Sequence, residues 1–84
     1  MLDTATFKQV ASMIIKELDE VESGLGRLAL NYSTALVEYV ERRGTKDAVL
    51  EALNKLPIMT AMPEPAARLM GDLFKLAITY QLSA

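Results

Sequence analysis

Residues 22–27 read ESGLGR, which places Gly24 and Gly26 in the middle of a stretch otherwise rich in helix-forming residues. Either the glycines turn the chain between two helices or they lie inside one long helix. Apolar residues precede them at Phe7, Ala11, Ile14, Leu18 and Val21, and follow at Leu25, Leu28, Tyr32, Ala35 and Tyr39. The spacing alternates four and three residues throughout, so a heptad seam crosses SGLG in phase.

The flanking charges argue the same way. A helix ending at Ser23 would hold Glu17, Asp19, Glu20 and Glu22 in its last turns, at the negative pole of the helix dipole. A helix restarting at Arg27 would carry a cation and no acid in its first turn. Residues 42–47, RRGTKD, are a better break: Arg42 and Arg43 close a last turn, Gly44 lies past the end, Thr45 can cap and Asp47 follows. The reading is therefore all-α, with one long helix over about 3–43, bent or crossed closely at Gly24 and Gly26. A short helix follows over 45–56 and a C-terminal helix over 63–82, the three forming an oligomeric bundle. The rival is a monomeric four-helix bundle with a turn at 24–26, which the glycines' role as helix breakers favours.

Pro57 stops the short helix because it lacks an amide hydrogen and constrains the residue before it. Residues 57–63, PIMTAMP, form a linker, and Pro63 with Glu64 suits the next first turn. In the C-terminal helix Ala66, Met70, Leu73, Ala77 and Tyr80 repeat the four–three spacing. Leu69, Phe74, Leu76 and Ile78 widen its apolar face, so burial on more than one side is expected.

With 84 residues the chain is one domain at most. A chain of this size buries only about 60% of the surface its unfolded form exposes. It has no cysteine for a disulfide and no histidine for a transition metal, so oligomerisation is the stabilising device left to it. The second half of the long helix supplies a surface for that. LALNYSTALV, residues 28–37, carries no charge, and Leu30, Val37 and Val40 lie off the seam. The expected oligomer or partner interface is Leu28, Leu30, Tyr32, Leu36, Val37, Tyr39 and Val40. Met59 and Met62 are candidates for an adaptable partner loop, since unbranched thioether chains fit varied surfaces. Arg42, Arg43 and Lys46 are candidates for contact with an anionic partner.

Catalytic patterns are missing from the sequence. Nucleophile–base constellations built on cysteine or histidine are excluded by composition, and SGLG lacks the strand and the Lys-Ser/Thr ending of a phosphate loop. The pairs Asp19/Glu22 and Glu38/Glu41 read as solvated helix faces. No enzyme, cofactor, metal or small-molecule ligand is expected. Eleven acids against nine bases argue against nucleic acid as the main partner. No apolar run approaches the ~20 residues of a membrane span, and the acid-bearing opening segment does not read as an export signal, so a cytoplasmic location is expected. The expected function is a non-enzymatic protein–protein interaction module. Such a module would be a small regulator that binds and inhibits or remodels a larger protein, of the antirepressor, anti-activator or phage-type inhibitor class. Alternatives are a DNA-binding transcriptional regulator using the basic junction 42–46, and a structural subunit or chaperone of a larger assembly.

Overall fold

The chain turns at the glycines. The structure, a computed structural model, describes residues 2–84, and its helices are α1 (Thr4–Val21), α2 (Leu25–Val40), α3 (Lys46–Asn54) and α4 (Glu64–Ser83). A single 3-10 turn at Met59–Ala61 joins α3 to α4. The uninterrupted helix over 3–43 is thus corrected to the alternative, a hairpin broken at Glu22–Gly24, while Gly26 stays helical inside α2.

Asp19 does not burden the negative pole of α1, as a helix ending here would imply. In the hairpin its carboxylate leaves the negative end of α1 and accepts the amide hydrogens of Gly24 (3.1 Å) and Gly26 (3.2 Å). It therefore caps α2 from the preceding helix and lies against the positive end of that dipole. Gly24 adopts φ +90°, in the left-handed region that only glycine enters freely. A Cβ at Gly26 would stand 2.6 Å from the Asp19 Cβ, so the acid can approach only because residue 26 lacks a side chain.

The continuous heptad phase also misplaced the buried stripe of α2. The core takes Leu25, Ala29, Tyr32 and Leu36, with Ser33 and Val37 beside them. The seam residues Leu28, Ala35 and Tyr39 are half-buried, and Val21 is exposed. Val37 and Val40, which seemed to need a second chain, are packed within this one, because α1 folds back along α2.

α1 lies between α2 and α4 and packs on both. Its start meets the end of α4: the Phe7 and Tyr80 rings stack with centroids 4.3 Å apart, and Thr4 Oγ1 hydrogen-bonds the Tyr80 hydroxyl at 2.7 Å. The Leu2 amide donates to Ser83 Oγ across the same pair of ends. α4 buries the expected Ala66, Met70, Leu73, Ala77 and Tyr80. Its wider face is only partly used. Leu69, Phe74 and Leu76 pack on the core, Phe74 meeting Tyr32 edge-on at 5.8 Å, whereas Ile78 is exposed. α3 packs on α2 alone among the helices and buries no residue fully.

The second junction forms where expected, by a different route. Thr45 caps α3, its hydroxyl accepting the Ala48 amide at 3.1 Å. The left-handed residue ending α2, however, is Arg42 at φ 61°, not Gly44. The Arg43 amide donates to the Glu38 carbonyl and the Arg42 amide to that of Tyr39, the paired bonds of a Schellman ending. Gly44 is required for room, since a Cβ there would lie 2.9 Å from the Glu38 Cβ. Asp3 caps α1 through the Thr6 amide at 2.8 Å, and that backbone hydrogen bond holds its carboxyl below the ordinary 3.8.

Two predictions follow from these ends. Arg42→Gly relieves the left-handed strain and raises stability by about 1 kcal/mol, or about 5 °C in Tm, while Gly44→Ala lowers it; thermal unfolding measures both. The depressed Asp3 carboxyl contributes stability that is complete above pH 3.8 and is lost as pH falls through its lower folded value. Asp3→Asn removes that part of the acid dependence, which shows as a shallower loss of Tm as pH falls below about 4.

Candidate functional site

The residues named from sequence do not form one surface. Tyr32, Leu36 and Val37 are 8%, 1% and 3% exposed and belong to this chain's own core, so they are withdrawn from the interface. Burial pushes the Tyr32 phenol up from its ordinary value. Leu28, Tyr39 and Val40 are half-buried, and Leu28 borders a cleft that α3 lines with Ala48 and Ala52. Leu30 alone of the seven is freely exposed, at 51%. The linker methionines divide: Met62 packs on the core, and Met59 stays exposed.

Leu30 overlooks an open groove of about 380 Å³ between α1 and α2. Ile15, Leu30 and Val37 supply its apolar lining, and Lys8, Glu38 and Arg43 its charges. Ser33 lines it too, although the residue is only 5% exposed. The Arg43 guanidinium is bound to the Glu41 carboxylate two residues earlier. That contact, chiefly through its hydrogen bond, holds Glu41 below its ordinary value and raises Arg43. With Glu38 and Glu41 beside Lys8 and Arg43, this end of the groove is balanced in charge and offers no net attraction to an anion.

The same balance weakens the basic junction. Arg43 is already paired, which leaves Arg42, exposed on the strained end of α2, and Lys46, at the first residue of α3. An ammonium at a helix N-terminus opposes the dipole, and α3 presents Asp47 and Glu51 beside it. Among the described residues no group of three acids, histidines or cysteines is placed to hold a metal ion, and no helix is long and apolar enough to cross a membrane.

Of the apolar stretch from α3 into the connector, the sequence reading named only Met59 as a partner contact and missed Leu50, Leu53 and Ile58. Leu50 and Leu53, one turn apart on α3, are 44% and 36% exposed. Ile58 and Met59 follow at 73% and 40%. A signal was present: Val49, Leu50 and Leu53 within nine-residue α3, with Leu56 two residues past its end, spread over more of the helix than one neighbour can cover. Val10 and Met13 on α1 and Ile78 and Leu82 on α4 are also exposed in pairs one turn apart, but only the stretch 50–59 brings four such residues together within ten positions.

No family model matches the chain, no curated protein matches it, and no solved structure matches it.

Replacement by glutamate separates the two kinds of interface candidate. Leu30→Glu should change stability by no more than about 0.5 kcal/mol. Val37→Glu puts a charge into the core and should cost at least about 3 kcal/mol, read by urea unfolding.

Proposed function

We propose that the chain is a non-catalytic protein-binding module, a small cytoplasmic regulator that inhibits or remodels a larger protein by occupying one of its apolar surfaces. The observation that carries this reading is the character of α3 and the connector after it. α3 buries no residue fully, yet it and the connector present Leu50, Leu53, Ile58 and Met59 outward within ten positions. A helix held on one side only, with leucines on its open side, suits insertion into a partner's groove, where an amphipathic helix reads as i, i+3 anchors. Arg42, Gly44 and Thr45 define its attachment at one end and Pro57 its end at the other, so α3 is offered in a set orientation.

The test is a paired capture from native-host lysate, nuclease-treated and washed at low and high salt. The wild-type chain should retain a stoichiometric protein through the high-salt wash. Leu50→Glu with Leu53→Glu should lose it by at least tenfold while keeping the wild-type circular dichroism. Equal capture by both chains overturns the α3 assignment. Recovery of nucleic acid that is lost at high salt and abolished by replacing Arg42, Arg43 and Lys46 with alanine overturns the protein-binding reading in favour of DNA.

A further inference from the structure

The hinge at Glu22–Gly24 joins two helices whose buried stripes share one phase. Leu25 follows Phe7 by 18 residues, which is five turns at 3.6 residues per turn. If α1 continued straight into α2, Phe7, Ala11 and Leu18 would fall on one face with Leu25, Ala29, Tyr32 and Leu36. The hairpin has no need of that alignment, because its turn, not a shared helical phase, sets the two stripes against each other.

The hinge is also built to open. Glu22, Ser23 and Gly24 are all exposed, and they border an open cleft of about 410 Å³ facing Pro57 and Met62. The Glu22 amide already donates to the Leu18 carbonyl, the first bond a continuing helix would make. Straightening would exchange the two amide bonds of Asp19 for regular ladder bonds at residues 24 and 26, so neither form leaves those amides unpaired.

A continuous helix from Thr4 to Val40 would be about 55 Å long, against about 30 Å for the 20 residues of α4. α4 of the same chain could cover only half of the apolar stripe. A second copy supplies the missing half with the side chains that already fit it.

We propose that this chain forms an exchanged dimer in which α1 and α2 join into one helix and α1 packs on α2 and α4 of a second copy. The Phe7–Tyr80 stack and the Thr4–Tyr80 hydrogen bond then form between chains instead of within one. Short hinges between packed elements favour such exchange. The proposal is independent of the partner-binding role given to α3, which lies outside the exchanged contacts.

The hinge glycines give the test. Alanine at 24 resists φ +90°, and alanine at 26 would meet the Asp19 Cβ, whereas both alanines favour a continuous helix. In light scattering after size exclusion, Gly24→Ala with Gly26→Ala should double the mass from 9.2 kDa. The dissociation constant of the dimer should fall at least ~100-fold, or about 2.8 kcal/mol. Inserting two glycines between Ser23 and Gly24 of that variant breaks the phase and frees the turn, and should restore the single-chain mass. A mass of 9.2 kDa for the alanine variant across concentrations overturns the proposal. So does a doubled mass that survives the insertion, since another surface would then hold the pair. If the double variant is unfolded by circular dichroism, Asp19→Ala decides. It removes the hairpin's cap with both glycines intact and should shift the mass the same way, and an unchanged mass overturns the proposal.

Discussion

The fold depends on one carboxylate meeting two amides. Asp19 sits near the C-terminus of α1, where its charge opposes the dipole, and the hairpin brings it to the N-terminus of α2, where the amides of Gly24 and Gly26 need an acceptor. The same geometry explains both glycines: one supplies a left-handed turn, the other the absence of a Cβ in front of the acid. Two glycines and one side chain thus close the turn.

Once the turn is closed, the rest of the core follows from what α1 can reach. α2 covers one flank of α1 and α4 the other, with Tyr80 locking the two chain ends through Phe7 and Thr4. This gives extents of 33 × 24 × 18 Å, too short for a 41-residue straight helix of about 60 Å. α3 falls outside this three-helix arrangement. Its place is set by the Schellman turn at Arg42 and the Thr45 cap before its first turn, and by Val49 and Ala52, which pack on the core from one side only. Its leucines remain open for that reason, and the functional reading rests on them.

Charge distribution narrows what the surface can do. Near the α2–α3 junction Arg43 is bound by Glu41, and Lys8 lines the same groove as Glu38. The distinctive surface is apolar, and it lies on the segment least anchored to the core.

Much of the fold was legible in the residues themselves: helical character throughout, the stripe Ala66–Met70–Leu73–Ala77–Tyr80, the Thr45 cap, the stop at Pro57 and the helix beginning after Pro63. These are local, set by caps, breakers and periodicity within one helix. Local signals also presented the hinge wrongly, because an unbroken heptad says which face is apolar and nothing about whether the axis continues. The candidate interface failed for a related reason. Tyr32, Leu36 and Val37 form an apolar face in any helix, but only tertiary packing shows that α1 returns to cover it and leaves Leu30, Leu50 and Leu53 outside. Sequence determined the helices, most of their ends and most of their stripes. Tertiary structure decided the turn, because Asp19 could be recognised as a cap only once two helices were laid side by side.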